Sequence, residues 1–565
     1  MSKRFMVTAA LPYANGHLHV GHIAGAYLPA DIYVRYRRAK KDEVLFVCGS
    51  DDNGVPIALT ARKENKTPAE VVAFYNAAQK QAFDGLGINF NIYGGTHSPR
   101  DVERHNHFSQ HFFLQAWNNG FLTKRKTRRL YDPQAQMFLP DRYVKGTCHH
   151  CGAAEAYGDQ CENCGKTTDA ELLINPVSVI SGARPEVRET THWFFELEKF
   201  RPELKTWLAS KTDWRSVVLN FTGGLLDQQL PARSITRDLE WGVPVPLDDP
   251  DANGKVLYVW FDAPIGYVSF TAQYCQQESG NWQDYERWWK DENCPIIHFI
   301  GEDNTVFHAV IWPAMLMAEG TFRVPDYVIA NCFLNIQFPG KNEEKISKSR
   351  GTAVWINDYL QQYDPDPLRY YLTAIAPETQ RTTFSLEDFI KRNNEELVSA
   401  LGNFFHRALS FVSRYFDEKV PEQGNLSDID KQHLALLAEL PGRVGRLIEE
   451  FSFKAAQNEL MSAARSANKY FDTKQPWSTR KTDAGDCNTT MNLCIQTLRT
   501  FTTVMQPFLP FAAEKAARML NLDTPACFDW DRAAESIPSG TPIGKPEILF
   551  KKIEVDSLTG ETGKT

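Results

Sequence analysis

No run of apolar residues in this chain approaches the roughly 18 that a membrane-spanning helix needs, so no membrane partner is expected. The opening Met-Ser-Lys-Arg-Phe carries positive charge but leads into no signal-like apolar block with a cleavage site, and the expected compartment is the cytoplasm. Excess positive charge is missing too. Sixty-two Lys and Arg against 70 Asp and Glu leave a net charge of −8, which argues against indiscriminate nucleic-acid binding but leaves room for a local basic face. Two basic runs, residues 35–41 and 124–129, read first as solvated faces. Internal repeats are absent. Disulfides are not expected either: in a reducing compartment the 11 cysteines read as thiols or metal ligands.

What is present is a globular chain. Its 565 residues are too many for one core, and 42% hydrophobic content argues against wholesale disorder. The apolar run Phe5–Leu11 reads as a strand closing on Pro12-Tyr13, followed by the histidine-rich Asn15-Gly-His-Leu-His-Val-Gly-His22 and a helix-like stretch over 22–38. Residues 44–48 read as a second buried strand closed by Gly49-Ser-Asp-Asp-Asn-Gly54. A helix over 67–86 follows, with Thr67 as N-cap, Pro68 at N1 and Glu70 completing a capping box. Strand–helix alternation of this kind predicts a parallel α/β sheet. It breaks near Gly120, gives way to an irregular stretch with short strands to about Gln229, and resumes with buried strands over 256–261 and 296–300 and a helix over 305–318. From about Ser385 the periodicity is helical, over 387–416, 428–450, 453–472 and 488–521. The tail from Ser536, rich in Pro, Gly and Ser, reads as a strap or linker rather than core.

The fold class expected is therefore α/β: a Rossmann-like parallel-sheet domain split by an insertion and followed by an α-helical bundle. The expected division is 1–118 and 231–333 for the sheet domain, 119–230 for the insertion, 334–390 for a lysine-loop region, 391–535 for the bundle and 536–565 for the strap.

Three groups of residues carry chemistry. Cys148, Cys151, Cys161 and Cys164 form C-x2-C-x9-C-x2-C, with Gly152 and Gly165 suited to the tight turns of a knuckle. Four thiolates close a tetrahedron, the geometry of structural zinc (Zn2+), and an iron–sulfur site has the same ligand count. His149 and His150 are spare donors, and the other seven cysteines read as core. The second group is His19-Val-Gly-His22. These imidazoles are either metal ligands or phosphate-binding donors at a helix start, where Gly21 lets a flat base approach the backbone. The third is Lys345-Ile-Ser-Lys-Ser-Arg-Gly351, a Gly-terminated cationic loop able to close on a polyanion.

Together the second and third groups resemble the two signatures of the class I aminoacyl-tRNA synthetases, with Ile346 where the family loop has Met. Residues 10–16, 49–54, 258–267, 299–303 and 307–312, with the knuckle, extend the resemblance over about residues 5–550 to the methionyl-tRNA synthetase family. That resemblance implies a ligase activating L-methionine with ATP and Mg2+ and charging tRNA(Met), initiator tRNA included. It implies that Asp51 binds the amino acid's ammonium, and that Leu11, Tyr13, Trp260, Pro264, Tyr267, Phe307 and His308 line the side-chain pocket. It assigns ATP to His19, Gly21, His22, Gly301, Asp303, Ser347 and Lys348, with Lys345 and Lys348 gripping the leaving phosphates. Asn403, Arg407 and Trp477 are implied as anticodon readers. Two other functions compete: a cofactor-making nucleotidyltransferase of the same superfamily, which needs neither knuckle nor bundle, and a non-catalytic zinc and RNA-binding protein, which leaves the histidine–lysine pairing unexplained.

Overall fold

The structure, a computed structural model, describes residues 3–140, 143–158, 161, 163–164, 170–338, 343–345 and 353–554. Five parallel strands form the central sheet in the order Tyr327–Asn331, Ile296–Gly301, Arg4–Ala9, Glu43–Ser50, Ile92–Gly95. Their residues are buried on both faces, which explains why they read as continuous apolar runs rather than alternating ones. The chain grows outward from Arg4–Ala9 in one direction, then returns after the insertion to grow outward in the other. The strand order therefore reverses between Arg4–Ala9 and Ile296–Gly301, and a crevice opens at their carboxyl ends.

The helix Pro68–Gly85 starts as its sequence predicts. Thr67 Oγ1 accepts from the Glu70 amide (3.3 Å), and Glu70 Oε2 accepts from the Thr67 amide (2.8 Å). The two helices beside the crevice differ from expectation. Over 22–38 the chain makes a short turn, Val20–His22, a π-turn, Ile23–Tyr27, and then the helix Leu28–Ala39. Over 305–318 a π-turn, Phe307–Ile311, precedes Trp312–Glu319. In each case a proline, Pro29 or Pro313, follows directly; it has no N–H to give the carbonyl four residues back, and the residue before it bonds five back instead (Leu28 to Ile23, Trp312 to Phe307).

Residues 256–261 are also not one strand. Pairing covers only Val256–Leu257; Val259–Asp262 is a helical turn that leads into the Pro264 turn. The insertion is more regular than its sequence suggests. Leu122–Asp132 pairs antiparallel with Glu186–Phe195 along nearly their whole length, and the helices Arg201–Ala209 and Ser216–Leu226 follow. The basic run 124–129 lies within that first strand with most of its residues exposed, so apolar alternation is absent from it.

The bundle contains Leu386–Arg392, continuous through a π-stretch with Asn403–Tyr415, then Asp428–Glu449, Phe453–Lys474, Pro476–Thr482, Ala484–Val504 and Pro510–Met519. The expected single helix over 488–521 is two, divided at Pro507 and Pro510. The tail is a strap but also core: Ile537, Ile543, Leu549, Phe550 and Ile553 are buried in the main cluster.

Sheet domain and bundle are joined by one buried cation. The fully buried Arg369 donates to the carbonyls of Leu86 (3.1 Å), Pro507 (2.8 Å) and Phe508 (3.0 Å) and pairs with Asp31 at 2.7 Å. Arg369→Met would leave three carbonyls unpaired and Asp31 with Arg35 alone. It is expected to lower stability by about 3–5 kcal/mol, read as a fall in the urea midpoint. Arg369→Lys, which cannot reach all four acceptors, should recover only part; an unchanged midpoint in both would dismiss the joint.

Candidate active-site crevice and metal knuckle

At the strand reversal lies a cavity of about 470 Å3. Its floor is the end of the first strand, where Asp51 bridges to Tyr13: the Asp51 amide donates to Pro12 O (2.8 Å) and the Ala14 amide to Asp51 O (3.0 Å). Leu11, Tyr13, Asp51, Trp260, Pro264, Tyr267, Phe307 and His308 all line it, as do His19, Gly21, His22, Gly301 and Asp303. Sequence reading missed Tyr27, Asn304, Phe333 and Leu334, which also line it. The two π-turns supply part of both walls, Gly25 to Tyr27 on one side and Phe307-His308 on the other.

The histidine turn is held by its own rings. His19 Nδ1 accepts from the Gly21 amide and His22 Nδ1 from the His19 amide, both at 3.1 Å, and the rings stack with centroids 3.6 Å apart. With Nδ1 accepting, each neutral ring carries its proton on Nε2, the form that donates to a phosphate oxygen. Among the described residues these histidines join no group of three or more metal-ligand side chains. His17 is set apart from them, edge-on to Phe74, Tyr75 and Trp355.

Carboxylates crowd the opposite end. Burial, then Asp262 and then Asp52, hold the Asp51 carboxyl well above the usual range. Asp52 is pushed up to about 7 by burial, and Asp262 is raised by burial against the opposing pull of His105. Asn53 ties the group together. Its amide donates to Asp51 Oδ1 (3.4 Å), its Nδ2 to Asp262 Oδ2 (2.6 Å), and its Oδ1 accepts from His97 Nδ1 (2.8 Å). Asp51 alone of the three lines the cavity, with Asp52 and Asp262 buried behind it, and a buried carboxyl there makes a receptor for a cation. Asp52 and Asn53 stand in the quoted 49–54 segment and Asp262 in 258–267, so doubled acids within a strand-end loop were the available signal.

The aromatic wall is rigid. Trp260 Nε1 donates to the Tyr13 hydroxyl, and its ring meets Phe307 edge-on at 4.5 Å. Tyr267 donates to His308 Nε2 (2.9 Å), because His308 Nδ1 is committed to Asn304 O (3.1 Å) and burial lowers the imidazole to about 4, keeping it neutral. Gly301 ends its strand where a Cβ would fall 2.8 Å from Asp303 Oδ1, so a side chain there would displace that carboxylate.

The described residues on either side of the lysine loop return to the same place. Glu344–Lys345 pairs with Leu334–Gln337, whose Leu334 lines the cavity. Beyond the loop, Val354 O accepts from the Val20 amide (3.1 Å), the Ile356 amide donates to Leu18 O (3.0 Å), and Trp355 bridges to His19. Ser347, Lys348 and the Lys345 side chain lie outside the described residues.

In the knuckle, Cys148 and Cys164 sulfurs are 4.0 Å apart and those of Cys151 and Cys161 3.7 Å, all four lying within 4.8 Å of one another. A tetrahedral ion with metal–sulfur bonds of about 2.3 Å places sulfurs about 3.8 Å apart. The set therefore fits one ion, zinc among the candidates, and is too tight for a cluster of several irons. A hydrogen bond from the Ala153 amide and one from Asn163 hold the Cys151 thiol down to about 6, towards the ligating thiolate. In the bundle, Asn403 is exposed, Arg407 pairs with Asp472 at 2.6 Å, and Trp477 is exposed.

A family model described as "tRNA synthetases class I (M)" matches residues 5–409, and one for the "anticodon binding domain of methionyl tRNA ligase" matches 420–562. The chain belongs to the methionyl-tRNA synthetases of class I. It is 44% identical over 567 residues to the methionine–tRNA ligase of Bacteroides fragilis (strain YCH46), covering all of this chain and 81% of that one. It is 45% identical over 561 residues to that of Thermococcus kodakarensis, covering 97% and 74%. Among solved structures, Mycobacterium tuberculosis methionyl-tRNA synthetase bound by methionyl-adenylate superposes with a TM-score of 0.80 at 25% identity, covering 97% of this chain and all of that one.

The knuckle has a small core of its own, built on Leu130, Leu139, Tyr143, Val144 and Leu173. Elemental analysis of the purified chain is expected to find one ion per chain, and Cys161→Ser to lose it while circular dichroism of the helices is retained. Two or more irons per chain would contradict the single-ion geometry.

Proposed function

We propose that the chain's own residues divide the two-step reaction of its family along the crevice. The observation that carries this reading is one cavity lined by the buried Asp51 carboxyl, by two Nε2-protonated imidazoles and by a set of aromatic rings. Asp51 takes the ammonium of L-methionine. Leu11, Tyr13, Trp260, Pro264, Tyr267, Phe307 and His308 enclose the thioether, whose polarizable sulfur suits aromatic faces. His19, Gly21, His22, Gly301, Asp303, Ser347 and Lys348 hold ATP, which arrives with Mg2+.

The methionine carboxylate oxygen then attacks the α-phosphate, and the bond from that phosphorus to the bridging oxygen breaks. Methionyl-adenylate forms and pyrophosphate leaves, its charge met by Lys345 and Lys348. No protein nucleophile is required; alignment and charge stabilisation suffice. In the second step the terminal ribose hydroxyl of tRNA attacks the activated carbonyl and AMP leaves. Asn403, Arg407 and Trp477 read the anticodon of tRNA(Met), elongator and initiator alike, in the cytoplasm. Zinc on Cys148, Cys151, Cys161 and Cys164 fastens the knuckle and takes no part in bond making. The working division is segments 1–118 and 231–333 for the crevice, 119–230 for the knuckle, 334–390 for the lysine loop, 391–535 for the anticodon and 536–565 for the strap.

ATP–pyrophosphate exchange against a panel of amino acids tests the reading. Methionine should drive exchange without tRNA. Homocysteine, one methyl smaller, should drive it more weakly, since such a difference discriminates by only about 1–3 kcal/mol. Exchange independent of any amino acid would indicate a cofactor-making nucleotidyltransferase, and none at all a binding protein.

The raised Asp51 carboxyl gives a signed pH effect. Free Asp51 keeps its proton above the ordinary carboxylate range, while an ammonium ligand favours the ionised form. Methionine binding should therefore release protons between the ordinary carboxylate range and the raised free-state value, and affinity should rise with pH until the free-state value is passed. Titration calorimetry in phosphate and in Bis-Tris measures the release, which Asp51→Asn should abolish. Buffer-independent heats throughout the mildly acidic range would count against Asp51 as the ammonium site.

A further inference from the structure

The bundle carries a second aromatic–arginine pair that the proposed anticodon readers leave unused. Asn403 and Arg407 stand on the helix Asn403–Tyr415, which ends about two turns beyond Arg407 at Tyr415, 37% exposed. Trp477, 47% exposed, stands on Pro476–Thr482, and Arg480 follows three residues later on the same face. The two helices exchange roles. Arg407 of the first lies 6.0 Å from the Trp477 centroid on the second, and Arg480 of the second lies 4.2 Å over Tyr415 on the first. Arg414 approaches the same tyrosine at 5.3 Å.

The two exposed rings are the ends of one continuous ribbon. Trp477 meets Phe471 at 5.9 Å, Phe471 meets Phe411 at 6.5 Å, and Phe411 meets Tyr415 at 4.7 Å. Charge differs between the ends. Arg407 is paired with Asp472, whereas among the described residues neither Arg414 nor Arg480 has a carboxylate within 4.0 Å. An exposed ring beside two uncompensated guanidiniums suits a planar base on the ring with its phosphate on the cations.

We propose that Tyr415, Arg414 and Arg480 form a second stacking subsite that takes an unpaired nucleotide of the tRNA anticodon loop next to the triplet. The subsite rests on the reading of Trp477 as an anticodon platform, with which its ribbon is continuous. Arg480 and Arg414 supply phosphate contacts and hold the tyrosine face, and Tyr415 supplies sequence-tolerant stacking.

The test uses the full chain and a tRNA(Met) transcript, with Kd measured at several salt concentrations. Tyr415→Ala should weaken binding about tenfold, Tyr415→Phe should stay close to the parent, and Arg480→Ala should weaken binding with a shallower salt dependence. Methionine-dependent exchange should be unchanged in all three. Transcripts with an abasic nucleotide at each loop position outside the triplet locate the contact. At one position the parent should lose the same affinity and Tyr415→Ala should then cost nothing further. If Trp477→Ala weakens binding but the Tyr415 and Arg480 variants do not, or if the Tyr415→Ala loss persists at every abasic position, the subsite is overturned and the platform stands. If Trp477→Ala has no effect, both fall.

Discussion

Everything the crevice does depends on the reversal of strand order beside Arg4–Ala9. Strands on either side of it come from segments nearly 300 residues apart, as the pairings Met6↔Ile296 and Val7↔Phe46 record. Because successive strands leave in opposite directions at that point, no crossover covers the carboxyl ends, and the gap is lined by whatever residues end the strands. Here those are Tyr13, Asp51 and Gly301, each placed by main-chain pairing rather than by its own side chain. The segments flanking the lysine loop are placed in the same manner, 344–345 by ladder bonds to 335–336 and 354–356 by main-chain bonds to 18–20.

Burial then sets the chemistry. Removing carboxyls, imidazoles and phenols from water disfavours their charged forms: in the crevice wall His308 is lowered to about 4 and Asp51 is held well above the usual carboxylate range, while behind it His97 is lowered to about 4 and Asp52 raised to about 7. A cationic ligand group restores the ionised state of a carboxyl and gains the Coulomb energy of a low-dielectric site. Neutral imidazole also fixes hydrogen-bond direction, since a ring whose Nδ1 accepts can only donate from Nε2, and one whose Nδ1 donates can only accept there. His19 and His22 are of the first kind and His308 of the second. The same residue type therefore presents donors at one end of the cavity and orients a tyrosine at the other.

The two ends of the reaction also have to be kept in register. Arg369 does this by satisfying carbonyls of both the sheet domain and the turn that divides the last long helices of the bundle. The strap adds to it: Asn393 and Asn394 hydrogen-bond the main chain of Lys551 and Ile553, and the apolar residues of the strap close over the core. The ribbon from Trp477 to Tyr415 is carried on helices packed against that same core.

Much of this was legible in the sequence, because local rules govern it. The capping box at Thr67, the buried parallel strands, the helical periodicity after Ser385 and the cysteine spacing each depend on residues within a few positions of one another. The histidine motif was likewise legible by residue type, and His19 and His22 line the cavity. Other features were misread where tertiary contact overrides local pattern. Residues 256–261 look like a strand but turn into a helix at Tyr258, the strand at 122–132 hides behind exposed arginines and lysines, and the polar tail buries five aliphatic and aromatic side chains. The pairing of Asp51 with Asp262 through Asn53 and the buried Arg369 between domains could not be read from local pattern, and the π-turns showed only as the prolines Pro29 and Pro313. Such features arise from groups brought together across hundreds of residues. Their energies come from desolvation and hydrogen-bond pairing, which exist only once the strands and helices have docked.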